Sequence, residues 1–192
     1  MNREQGLALV KSRLGDSATT KHSLAAEACM RKLAQRFGED VELWGLSGLV
    51  HDLDLDVCQN DLARHTLVGA EVLRAAGAPD AVVLAVLGHN DKATRVTRLD
   101  KALWVVDPTT GFITAAALIR PSKSTSDLSA DSVKKRMKDK RFSAAINREQ
   151  MKACKELLDL ELDDFLGLCI QAMDEIRGEL GLAGAGTGAV AP

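Results

Sequence analysis

Apolar residues recur at helical spacing through almost every stretch of this chain, and nowhere do they alternate over enough residues to make a half-buried strand. The spacing predicts helices over approximately 2–14, 18–36, 40–52, 61–76, 79–90, 98–119, 129–139, 147–158 and 161–180. Composition points the same way. Aromatic residues make up 3% of the chain and tyrosine is absent, while Ala and Leu dominate. Such a chain lacks the β-branched and aromatic surfaces of sandwiches and barrels and packs helices through small side chains. The expected class is all-α.

Ordinary punctuation separates the helical segments. Gly15-Asp16 and Gly38 close the first two, Gly77-Ala78-Pro79 divides the fourth from the fifth, and Pro121-Ser122 follows the long one. Asn147 with Gln150 three residues on reads as an Asn form of the capping box, and Asp61 as a cap for the helix that carries His65. A chain of 192 residues fits one ordinary domain. We expect a single helical domain over 1–182, with a core at about 18–120, added C-terminal helices at about 129–180, and a flexible Gly/Ala tail at 183–192.

Charge excludes little and names no partner. The net charge is −2, and the basic run Lys134, Lys135, Arg136, Lys138, Lys140 and Arg141 is interrupted by Asp139 and has no stacking aromatics, so it reads as a solvated helix face and not as a sequence-specific nucleic-acid site. No apolar run is long enough for a membrane span or a signal peptide, so the expected setting is the cytoplasm, without a membrane. Cys29, Cys58, Cys154 and Cys169 are far apart in the chain and are expected to be buried and reduced. The oligomeric state is not legible.

The histidines carry the functional information. All four lie in the first half, and each shares a helical stripe with apolar or very small residues. His22 aligns with Ala25, Ala26, Cys29 and Leu33, His65 with Val68, Gly69 and Val72, and His89 with Val82, Ala85 and Val86. His51 has Ser47 and Gly48 one turn back, which leaves room beside its ring. Any one of them taken alone reads as a satisfied core or surface histidine. Four inward imidazoles together need four donors and four acceptors, whereas a shared cation satisfies several at once. Imidazole and carboxylate suit Mn, Fe, Co, Ni or Zn, and carboxylates with water also suit Mg.

A single histidine, an adjacent His-Asp pair and a later aspartate on a helix form the signature of the HD superfamily, and His22, His51-Asp52 and Asp107 resemble it in order and spacing. The stretches HTLVGAEVL with His65 and VLGHN with His89 look like the extra histidines of two-metal members, among them diadenosine-polyphosphate hydrolases and cyclic-dinucleotide phosphodiesterases. The segment LDKALWVVDPTTGFITAAALIRPSK, continued by Ser132 to Lys135 and by Phe142 to Glu149, resembles a subgroup of bacterial HD hydrolases of undefined substrate. Two departures disfavour cyclic-di-GMP. The dyad continues as Leu53-Asp54 and not as Ile-Gly-Lys, and a chain without tyrosine has no Gly-Tyr-Pro motif.

The resemblance implies an HD-type helical bundle and one or two divalent ions. His22, His51, Asp52 and Asp107 would hold the first ion, and Asp52 would bridge to a second held by His65 and His89. It also implies hydrolysis of a phosphoester or phosphoanhydride in a nucleotide or another small phosphorylated molecule, by water that the metal activates. Asp52 and Lys101 are the catalytic candidates, Lys101 for substrate phosphate, followed by Lys92, Arg95, Arg98, Arg120 and Lys123. Asp54 and Asp56 are candidates for a general acid or a partner of the ligands. Asp107 precedes Pro108, so the helix is expected to kink or restart there, with an N-cap as the other reading of Asp107. Two rival functions are a one-metal nucleotidase acting on nucleoside monophosphates and a non-catalytic regulator stapled by its metal.

Overall fold

The computed structural model describes residues 1–59 and 61–184. Among them the chain forms α1 (Arg3–Leu14), α2 (Ala18–Phe37), α3 (Val41–Val50), α4 (Leu67–Ala75), α5 (Asp80–His89), α6 (Arg98–Leu118), α7 (Ala130–Met137), α8 (Arg148–Lys152), α9 (Cys154–Leu158), α10 (Leu162–Glu175) and α11 (Arg177–Leu180), with a 3-10 turn at Thr125–Asp127. No strand occurs among the described residues, and the class is all-α. Ala183 makes an isolated antiparallel bridge with Ser124. Residues 185–192, where the flexible tail is expected, lie outside the described residues. No described helix is long and apolar enough to cross a membrane.

Local chemistry sets the helix ends. Asn2 with Gln5, Thr97 with Asp100 and Ser129 with Ser132 close reciprocal capping boxes. Ser17 and Asp40 cap α2 and α3 through their side chains, and Gly38 ends α2 in the left-handed conformation.

Two expected caps turn out differently. Asn147 accepts from Glu149 N and Gln150 N, but the Gln150 side chain leaves the box and donates to the Trp104 carbonyl of α6 at 2.6 Å. Asp61 accepts from Ala63 N inside a run of turns, and α4 starts only at Leu67, so His65 lies before the helix and not on it. The reason is Thr66, whose φ of 69° interrupts the helical backbone, with the backbone N–H groups of Thr66 and Gly69 both donating to Asp54.

Two buried clusters meet along α2 and α3. The larger gathers Cys29, Met30 and Leu33 of α2 with Leu103, Phe112 and Ile113 of α6 and Phe165, Leu166 and Met173 of α10. The smaller joins Val10 of α1, Leu49 and Val50 of α3, Leu73 of α4 and Val82 and Val86 of α5. All four cysteines are buried and free, as small apolar fillers. Helix α2 lies so close to α3 that a Cβ on Gly48 would come within 2.7 Å of the Ala26 backbone. The room left by Gly48 is therefore filled by α2, not left open beside His51, and this contact brings His22 and His51 together.

Pro108 is accommodated without a break. Helix α6 runs from Arg98 to Leu118, its N-cap is Thr97, and Asp107 is neither a cap nor a restart. A proline inside a helix deprives the carbonyl four residues back of its donor. That carbonyl belongs to Trp104, and Gln150 supplies the missing donor from α8.

Candidate metal centre

Six side chains remote in sequence converge between α2, α3, α5, α6 and the turns before α4. His22 Nε2 lies 3.1 Å from His51 Nε2, 3.0 Å from Asp107 Oδ1 and 3.5 Å from Asp52 Oδ2. His51 Nε2 lies 3.4 Å from Asp52 Oδ2 and 3.7 Å from Asp107 Oδ1. On the other side of the same aspartate, Asp52 Oδ1 lies 3.3 Å from His65 Nε2 and 3.4 Å from His89 Nε2, and those two nitrogens are 3.3 Å apart. His22, His51, Asp52 and Asp107 form one group of potential ligands, and Asp52, His65 and His89 form a second. Each oxygen of Asp52 serves one group.

The far side of each ring fixes which nitrogen carries the proton. His51 Nδ1 donates to Gly48 O at 2.8 Å, and His89 Nδ1 donates to Val86 O at 2.6 Å, each three residues back on its own helix. His65 Nδ1 donates to Asp54 Oδ1 at 2.7 Å. A carbonyl or carboxylate oxygen only accepts, so the Nδ1 atoms hold the protons and the neutral rings turn Nε2 lone pairs toward Asp52. Lone pairs facing lone pairs and carboxylates repel unless a positive charge lies between them.

Protons alone answer this need at a cost in pKa. Burial opposes the charged form of His51, but the charge of Asp52 and bonds to Asp107 and Asp52 outweigh it and hold His51 well above the ordinary histidine range. Burial likewise lowers His65, yet bonds to Asp52 and Asp54 raise it to about 9. Burial would raise Asp52 and Asp107, but the neighbouring histidines hold both below the usual carboxylate range.

A divalent cation answers the same need with the donors already present. With metal–ligand bonds of about 2.0–2.2 Å, neighbouring ligand atoms in a tetrahedral or octahedral shell lie roughly 2.8–3.6 Å apart. The observed spacings fall in or just beyond that interval, the donors are nitrogen and carboxylate oxygen, and the rings are held by outer partners as metal-binding histidines usually are. The residues fit the group.

Asp54 is the buried partner of His65, its carboxylate gathering His65 Nδ1 and the backbone N–H groups of Thr66 and Gly69. Those donors hold it below the usual carboxylate range against the effect of burial. Asp56 is exposed. Lys101 makes no described side-chain bond to the cluster. It lines a cavity of about 530 Å³ with Lys92, Arg95 and Leu157, and no hydrogen bond, ion pair or cavity wall among the described residues joins it to the histidines. Arg95 is engaged by Gly88 O and Asp91, and Arg98 by Glu39. Arg120 lines another cavity, beside Lys135 and Arg136.

Sequence reasoning missed three residues. Asn90 Nδ2 donates to Leu62 O and His65 O and ties the end of α5 to the turns that carry His65. Thr110 Oγ1 lies 3.1 Å from His22 Nδ1. Gln150 braces α6 beside Asp107. The only sequence hint was Thr110's place one turn after Asp107.

The helical architecture and the paired histidine–carboxylate groups define an all-α protein with groups able to hold a divalent metal. Residues 19–111 match the family model of the HD domain, a span that contains His22, His51, Asp52, His65, His89 and Asp107, and the match supports membership of the HD superfamily. No curated protein and no solved structure gives a significant match.

Proposed function

We propose that the chain is a metal-dependent phosphohydrolase acting on a phosphoester or phosphoanhydride of a nucleotide or another small phosphorylated molecule. One observation carries this reading: Asp52 turns one carboxylate oxygen toward His22 and His51 and the other toward His65 and His89. His22, His51, Asp52 and Asp107 would hold one divalent ion, and Asp52, His65 and His89 a second. Bound there, such ions supply Lewis acidity to a phosphoryl oxygen and lower the pKa of a neighbouring water.

The side chains do the rest by orientation. Gly48 O, Val86 O and Asp54 hold three imidazoles in the tautomer that leaves Nε2 free, and Asp52 sets the separation of the two groups. Asp107 and His22 are the more open members, 30% and 22% exposed at their side chains, and His51 is fully buried. Substrate would therefore approach past Asp107 and His22. We read residues 1–182 as one domain in which α8 braces the helix that carries Asp107. Lys101, which makes no bond to the six ligands, stays a candidate for substrate phosphate.

Metal analysis of the purified protein with a panel of nucleotides and other phosphoesters tests the reading. Two ions per chain and hydrolysis that Asp52→Ala abolishes are expected. One tight ion with turnover confined to nucleoside monophosphates would favour the one-metal nucleotidase. Bound metal with no turnover on any phosphoester would leave a metal-stapled regulator.

A further inference from the structure

We propose that Thr110 is a positioning residue that fixes the tautomer of His22 and so makes its Nε2 available to a cation. The inference rests on the metal centre proposed above and goes beyond its six residues. Thr110 stands one turn after Asp107 on α6 and is fully buried. Its hydroxyl has one proton, which it donates to the Asp107 backbone oxygen at 2.9 Å. With the proton so placed, the oxygen offers lone pairs to His22 Nδ1, 3.1 Å away, and the ring is the donor in that bond.

The alternative tautomer is a real competitor here, unlike at the other three histidines. His22 Nε2 lies 3.0 Å from Asp107 Oδ1, so a proton on Nε2 would be donated to that carboxylate. Two ligands would then satisfy each other and neither would be free for a metal. For His51 and His89 a backbone carbonyl decides the matter, and for His65 the Asp54 carboxylate does. His22 depends on a single hydroxyl, which comes from the same helix as the aspartate it would otherwise pair with. Neighbouring Thr109 has no such role, because its hydroxyl donates to Val105 O at 2.6 Å within the helix.

The test uses zinc as the probe and the full chain. Zinc dissociation constants are measured by competition with a chelator for wild type, Thr110→Val and Thr110→Ser. Valine keeps the shape and removes the acceptor, so its affinity should fall about 10- to 100-fold, while serine restores the hydroxyl and should stay close to wild type. Long-range proton–nitrogen NMR of metal-free protein at alkaline pH should show His22 with its proton on Nδ1 in wild type and on Nε2 in Thr110→Val. Wild-type protein that binds no zinc would remove the metal centre and this proposal together. Equal zinc affinity in wild type and a folded Thr110→Val would overturn the role of Thr110 and leave the metal centre standing. Should Thr110→Val not fold, the wild-type tautomer decides, and a proton on Nε2 overturns the proposal.

Discussion

Gln150 donates its side-chain amide to the Trp104 carbonyl, the carbonyl of α6 that Pro108 leaves without a helical donor. The helix that carries Asp107 thus passes through a proline because a residue more than forty positions later completes its hydrogen bonding. Replacing Gln150 with Leu should orphan that carbonyl and destabilise the protein by about 1–3 kcal/mol. The loss should shrink in a Pro108→Ala background, where residue 108 regains its own N–H. A double-mutant cycle in urea denaturation measures the coupling, and additive losses would refute the brace.

Asp54 supports both a ring and a helix. Asp54→Ala removes the acceptor for His65 Nδ1 and for the Thr66 and Gly69 amides. Leaving three buried donors unpaired should cost about 3 kcal/mol or more. Asp54→Asn keeps an acceptor but lacks the charge, and its affinity for a divalent ion should be about 10-fold weaker, by analogy with other outer partners of metal ligands. Calorimetric titration and thermal melts separate the two effects.

Gly48→Ala probes the approach of α2 to α3. The added methyl group would meet the Ala26 carbonyl, which is backbone and cannot rotate aside. We expect about 1–3 kcal/mol of destabilisation from overpacking. Metal affinity should fall as well, because His22 on α2 moves away from His51. A folded variant with unchanged affinity would show that the helix spacing does not set the ligand spacing.

Stability of the metal-free protein should depend on pH through the same side chains. His65 is raised from 6.5 to about 9, so it adds stability that is complete below 6.5 and vanishes as pH climbs through about 9. His51, also raised, acts in the same direction. The lowered Asp52 and Asp107 add stability above the usual carboxylate range and lose it in acid. Thermal melts of metal-free protein should therefore decline from pH 6.5 to 9. The increase in Tm on adding a divalent ion should grow over that interval, because the protons competing for Nε2 are leaving. A Tm increase that does not vary with pH would contradict the shared role of these nitrogens.

Much of the fold was legible in the sequence because helical periodicity, capping residues and glycine stops act within one or two turns. The spacing of Cys29 and Leu33 after His22 was enough to turn that histidine inward, and helix α6 was anticipated to within a residue of its ends. The misplaced start of α4 was illegible, since Asp54 overrides the local preference of residues 61–66 from eleven and more positions away.

The sequence by itself named the four histidines, Asp52 and Asp107 as candidate ligands and turned His22 and His89 inward, since residue type and helical period act locally. Only the tertiary structure decided how they meet. The division of Asp52 between two groups, the grip of Thr110 on His22 and the completion of the Pro108 gap by Gln150 are relations between segments distant along the chain. Hydrogen bonds act over about 3 Å, and only folding brings such segments that close.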